Sequence, residues 1–214
     1  MTDDGPDADG AEGTDDGPDA DGAEGTDDGP DADGSDTDPT PTNDGQVFDR
    51  LPETAADRVV PGRPTRAEVV DWFDDRFGIG PSVFEGYSFW EKGAGKLWAF
   101  AGDLPVDQVD VEGVGLTVLR TRQEHWKPTT SAALRFGEHA TRNTIALTPE
   151  EATTFARGED QPIERWDGDW GYLIAVQELA GGPVPLGVGL YLYGELRSVV
   201  PKGSREDLEP LASR

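Results

Sequence analysis

The sequence predicts a compact α+β fold built from short, mostly antiparallel strands with small helices between them. Three observations carry that prediction. Helix-period runs are few, short and sharply capped; strand-like runs outnumber them and are separated by glycine turns; and no helical segment is long enough to cross over a doubly wound parallel sheet.

The first firm element opens at Thr65, where Thr65 and Glu68 form a T-x-x-E capping box. Val69, Val70, Trp72, Phe73 and Phe77 follow at helical spacing, and Gly78 ends the helix. Two aromatic-rich runs, "VFEGYSFWEKG" and "KLWAFAG", are joined by Gly93-Ala94-Gly95 and read as a hairpin, so 65–102 is helix, strand, strand. "VGLTVLRTRQ" reads as a strand. "TTSAALRFG" is a short helix with a Thr N-cap that ends at Gly137, and "TRNTIAL" is a strand. "TPEEATTFARGE" is a second short helix, with Pro149 at its first position and Gly158 closing it. "GYLIAVQELA" and "LGVGLYLYG" are strands, and Gly194-Glu195 suits a two-residue turn into "LRSVV".

These elements divide the chain into an acidic tail (1–45), a linker (46–64), a small α+β module (65–104), a barrel-like domain (105–206) and a short C-terminal tail (207–214). The tail holds 17 acidic residues and no Lys, Arg or aromatic residue, and it repeats "TDDGPDADGAEG" at 2–13 and 14–25. With no Leu, Ile, Val or Phe to bury, it cannot offset its chain entropy, and disorder is expected.

The whole chain carries 44 acidic against 18 basic residues, a formal net charge of −26. The acids are scattered through the folded part rather than clustered, as in proteins of salt-in halophiles. An acidic protein that docks a basic one is the competing reading. The absence of cysteine excludes disulfides, Cys-ligated zinc and thiolate nucleophiles. No segment has the length of a membrane span or a signal core, so a soluble cytoplasmic protein is expected.

Catalytic patterns are thin. The two histidines, His125 and His139, lack the i, i+4 spacing of a zinc helix. "GAGKL" at 93–97 lacks the full phosphate loop, "GVGLYLYG" is no dinucleotide fingerprint, and no G-x-S-x-G elbow occurs. The expectation is a protein that is not an enzyme and uses no cofactor or metal, although a metal site at His125 and His139 is a remote alternative.

Binding signals are stronger. The segment 120–142 gathers Arg120, Arg122, Lys127, Arg135 and Arg142 around His125 and Trp126; a second group, Arg197, Lys202 and Arg205, follows the last hairpin. Bases interleaved with an aromatic suit a surface that tracks phosphates and stacks bases. In "LGVGLYLY", alternation places Leu186, Val188, Leu190 and Leu192 on a core face. Gly187, Gly189, Tyr191 and Tyr193 fall on the other, where bare backbone admits either a close-approaching ligand or a packed neighbour.

Two stretches carry a family resemblance. "ALRFGEHATRNTIALTPEEATTFARGED" and "GYLIAVQELAGGPVPLGVGLYLYGELRSVVPKGSR" resemble the PUA-like RNA-binding domain of RsmF-type, Sun-family RNA cytosine-C5 methyltransferases. The F/Y-x-R-G-E signature is matched by Phe155-Ala156-Arg157-Gly158-Glu159. The Pro-Leu-Gly-x-Gly strand is matched by Pro185–Gly189, and the basic exit by Pro201–Arg205. The family often has Lys-Asn where this chain has Arg197-Ser198. The resemblance covers roughly 110–206 and implies a PUA-like pseudo-barrel that binds structured RNA, rRNA or tRNA, and no DNA. The methyltransferase chemistry needs a cysteine and a Rossmann-like fold, and neither is present. The implied role is therefore RNA modification or ribosome biogenesis without catalysis, with presentation of RNA to a separately encoded cytosine-C5 methyltransferase as one form of it; a protein-interaction module is the alternative. The expected RNA contacts are Arg120, Arg122, Trp126, Lys127, Arg135, Arg142, Gly187, Gly189, Arg197, Lys202 and Arg205.

Overall fold

Local capping chemistry places the helices where the sequence predicts them. The computed structural model describes residues 47–206, all within the unit spanning Pro39–Arg214. The expectations for 1–45 and 207–214 lie outside those residues. Helix α1 runs Arg66–Phe77. The Thr65 hydroxyl accepts from the Glu68 N–H at 3.1 Å, and Glu68 accepts from the Thr65 N–H at 2.9 Å. Gly78 then closes the helix at φ 64°, a conformation that costs a residue with a Cβ. Helix α2 (Thr130–Phe136) is capped by Thr129, and α3 (Pro149–Ala156) by a Thr148–Glu151 capping box.

The strands are β1 (Phe48–Arg50), β2 (Tyr87–Glu91), β3 (Lys96–Ala101), β4 (Gln108–Val109), β5 (Leu116–Arg120), β6 (Lys127–Pro128), β7 (Thr144–Leu147), β8 (Gln161–Pro162), β9 (Gly171–Leu179), β10 (Gly182–Leu192) and β11 (Glu195–Ser198). They form a six-stranded sheet in the order β4-β1-β2-β3-β5-β6 and a five-stranded sheet in the order β7-β9-β10-β11-β8. Every pair is antiparallel except β7 with β9. The fold is α+β.

The main core takes Val69, Phe73 and Phe77 from α1, Ala132 and Phe136 from α2, Phe89, Leu97 and Leu119 from the first sheet, and Ile174, Val176 and Val188 from the second. A second cluster packs α3, through Ala152 and Phe155, onto the opposite face of the second sheet at Leu173, Ala175, Tyr191 and Leu196. A third buries Phe48, Trp90 and Val114 on the outer face of the first sheet. Among the described residues, no helix is long and apolar enough to cross a membrane.

The structure corrects four readings. Residues 46–64 are not a linker: Phe48 is fully buried in β1, which pairs with both β2 and β4. In the same segment Arg63 is buried and bridges Asp49 at 2.7 Å and Glu91 at 2.8 Å. No boundary falls at 104/105, because β3 pairs with β5 across it and the main core draws on both sides. In β10, a bulge between Pro185 and Gly187 breaks the alternation, so Leu186 joins Tyr191 on the α3 side while Val188 faces the main core. The final hairpin turns on Tyr193-Gly194, one residue earlier than expected, because Leu192 pairs with Glu195. Both turn residues have positive φ, 54° and 85°, as a tight two-residue hairpin turn demands.

Candidate functional site

Trp72 and Arg76 stand one helical turn apart on α1 and therefore share a face. Together with Glu124, His125 and Trp126 from the β5–β6 connection, Trp170, Gly171 and Tyr172 at the start of β9, and Leu190 and Leu192 of β10, they line a groove of about 660 Å³. The Trp72 and Trp126 rings lie 6.3 Å apart, tilted by 36°. Arg76 holds the groove together: its Nε and Nη2 donate to the Tyr172 carbonyl at 2.9 and 2.8 Å, and Nη2 also donates to the Trp170 carbonyl at 3.2 Å. Desolvation lowers the Arg76 pKa, against the pull of Asp169, and burial raises that of the Tyr172 phenol, which keeps the phenol neutral.

The groove opens onto two aromatic rings that the fold does not cover. Trp170 is 54% and Tyr193 78% exposed, and their rings meet edge to face at 4.7 Å. Tyr193 holds a φ of 54°, uncommon for a residue with a side chain and more so for a bulky one. Tyr172, Leu190 and Arg197 are register partners across β9, β10 and β11, so Arg197 stands on the groove-side face, where its Nε pairs with Glu195 at 2.8 Å.

Residues 34–115 match a family of unknown function (DUF7122). A search of curated proteins finds no match. The matched segment contributes Trp72 and Arg76 to the groove and ends before β5.

Beside the groove, on the edge strand β6, Lys127 follows Trp126. Lys127 is the register partner of Arg120, and Arg120 is the partner of Lys96 on β3. Directly opposed residues project from the same face, so three cations form a row across β3, β5 and β6. The Lys96 Nζ sits 4.6 Å from the centre of the Trp98 ring.

Of the expected contacts, the structure brings Trp126, Arg120, Lys127 and Arg197 to the groove and this row. Arg122 lies exposed in the β5–β6 connection, its backbone against Gly95. Arg135 is held by Tyr87, donating to its hydroxyl at 2.9 Å. Arg142 sits at the end of α1, its N–H donating to the Phe77 carbonyl at 3.1 Å. Lys202 and Arg205 are not joined to the 120–142 group: Arg205 packs on Gly158 at the end of α3, across the second sheet from the groove.

Gly187 and Gly189 are buried and offer no ligand face. A Cβ on Gly189 would stand 2.6 Å from Leu196 Cδ1, and one on Gly187 3.1 Å from Thr130 Cγ2. The protein's own side chains make the close approach. Among the described residues no group of three or more metal-ligating side chains occurs; His125 lines the groove and His139 lies 3.5 Å from Glu138.

The residues that sequence reasoning missed are Lys96, Arg76, Trp170, Tyr172 and Tyr193, while Trp72 was read only as part of a core stripe. The i, i+4 pair Trp72/Arg76 and the bulky Tyr193 before Gly194 were the available signals.

Proposed function

We propose that this protein binds single-stranded segments of RNA without catalysing a reaction on them. The observation that carries the reading is the aromatic groove of Trp72, Trp126 and Tyr172, which opens onto the exposed Trp170–Tyr193 pair. Stacking of a base on an aromatic side chain is worth about 1–3 kcal/mol and tolerates any base, since every base has a π-face. It also survives high salt, where screening weakens charge–charge attraction. The groove is of the size that holds a small planar ligand, and the resemblance over 110–206 supports rRNA or tRNA as the source of the strand. Presentation of that RNA to a separately encoded methyltransferase is the role this reading extends to.

Intrinsic tryptophan fluorescence of the full chain, titrated with an oligoribonucleotide and with tRNA in concentrated KCl, tests the reading. Trp126→Ala and Tyr193→Asn are each expected to weaken binding by about tenfold or more, the size of one lost stacking contact. Asn suits the positive φ at position 193 better than Tyr, so that variant keeps the turn. Unchanged affinity in both variants, or no RNA binding by the wild type, overturns the proposal; the latter outcome favours the protein-interaction alternative.

A further inference from the structure

The row Lys96–Arg120–Lys127 sets three like charges side by side on adjacent strands. Arg50, Arg58, Arg63, Arg66, Arg165 and Arg197 all pair with carboxylates. Among the described residues, no acidic side chain forms an ion pair with Lys96, Arg120 or Lys127. Arg122 and Arg135 likewise form no ion pair among the described residues; what sets the row apart is that its three cations are successive register partners on adjacent strands. Like charges directly opposed across strands destabilise a sheet. A bound polyanion removes that repulsion.

The dimensions select the anion. Neighbouring strands lie about 4.8 Å apart, so the row spans about 10 Å. A stacked nucleic-acid strand rises about 3.4 Å per phosphate along its axis, so three consecutive phosphates advance about 7 Å, within reach of the side chains of a row of that length. We infer that Lys96, Arg120 and Lys127 form a rail for the phosphodiester backbone of the strand whose bases enter the groove. The identity of that strand rests on the RNA reading above; the affinity of the row for a chain of phosphates does not. Trp126 and Lys127 are successive residues, about 3.8 Å apart at Cα. The edge strand β6 therefore separates a base-stacking side from a phosphate-holding side.

The test uses the full chain, the variant Lys96→Gln/Arg120→Gln/Lys127→Gln, and two probes: an oligoribonucleotide and base-free inorganic polyphosphate, each titrated across a KCl series. For a single strand, each neutralised phosphate contributes about 0.7 to the slope of log affinity against log salt, so the variant's slope should be shallower by about 2. Polyphosphate should bind the wild type and bind the variant at least tenfold more weakly, while the variant's thermal midpoint stays level or rises because the repulsion has gone. Should the triple variant fail to fold, Arg120→Gln alone should lower the slope by about 0.7. Polyphosphate binding to the wild type that the variant loses, with no oligoribonucleotide binding, upholds the rail and overturns the RNA reading. An unchanged slope and unchanged polyphosphate affinity, or no binding of either probe to the wild type, overturns the rail.

Discussion

The Arg205 guanidinium occupies the space that a β-carbon on Gly158 would need. The contact joins two of the motifs that carry the family resemblance, the end of α3 and the basic exit after β11. Gly158 has a φ of 78° and Gly194 a φ of 85°, but nothing lies within 4 Å of the Cβ position of Gly194. Alanine at either position should cost about 1 kcal/mol from the backbone alone. Gly158→Ala should additionally expel the Arg205 side chain, so its cost should fall when combined with Arg205→Ala. Thermal unfolding of the two single variants and the double variant measures this; strict additivity at Gly158 and Arg205 excludes the contact as an energetic one.

Gly189→Val should unfold the protein more readily rather than act on binding alone. The new side chain would be forced against Leu196 and Phe155 in the α3-side core. Overpacking of this kind costs about 1–3 kcal/mol. Denaturant titration should show a lowered midpoint, and an unchanged midpoint contradicts the packing of this face.

Arg63 is 9% exposed and ties β1 to β2 through Asp49 and Glu91, and Glu91 also accepts from the Gly95 N–H at 2.7 Å. Arg63→Met removes the guanidinium that faces the buried Glu91 carboxylate and the half-buried Asp49, at a cost of up to about 3–5 kcal/mol. Adding Asp49→Asn and Glu91→Gln should recover part of the loss, since a neutral amide costs less to bury than a carboxylate that has lost its guanidinium. Chemical unfolding in the same buffer checks both the loss and the recovery.

Acid should loosen α3 through Glu151. Hydrogen bonds from Arg165, at 2.6 Å to each carboxylate oxygen, hold its pKa below the ordinary 4.5, against burial and with help from the Thr148 N–H. A carboxyl whose folded pKa is depressed contributes stability that is complete above its unfolded value and lost as pH falls through the folded one. Glu151→Gln should therefore lower the thermal midpoint by a few degrees near neutrality, the equivalent of about 1 kcal/mol. The two proteins should converge as pH falls below the ordinary carboxylate value of 4.5 and through the depressed folded one. A constant gap across that range assigns the effect to something other than this carboxylate.

The three α-helices were legible because their ends are local events. Thr65 with Glu68, Thr129 with Ala132 and Thr148 with Glu151 each satisfy a helix N-terminus within three residues, and such contacts are written in adjacent sequence. The β2–β3 hairpin was legible for the same reason, through Gly93 and Gly95, both at positive φ. Strand β1 was not, because three residues carry no periodicity and Phe48 has a burial site only once β2 and β4 flank it.

Residue types alone set the class of this protein: an acidic, cysteine-free α+β chain with helix boundaries at its Thr caps and with Trp126, Arg120 and Lys127 among its candidate contact residues. Tertiary structure alone decided which faces those residues share. Strand register puts Lys96 beside Arg120, packing of Thr130 on Gly187 and of Phe155 and Leu196 on Gly189 buries the glycines of β10, and the groove unites α1 with segments about a hundred residues away. The physical reason is range. A cap is closed by hydrogen bonds three residues apart, whereas register, side-chain facing and groove depend on strand pairings that form only when distant segments meet.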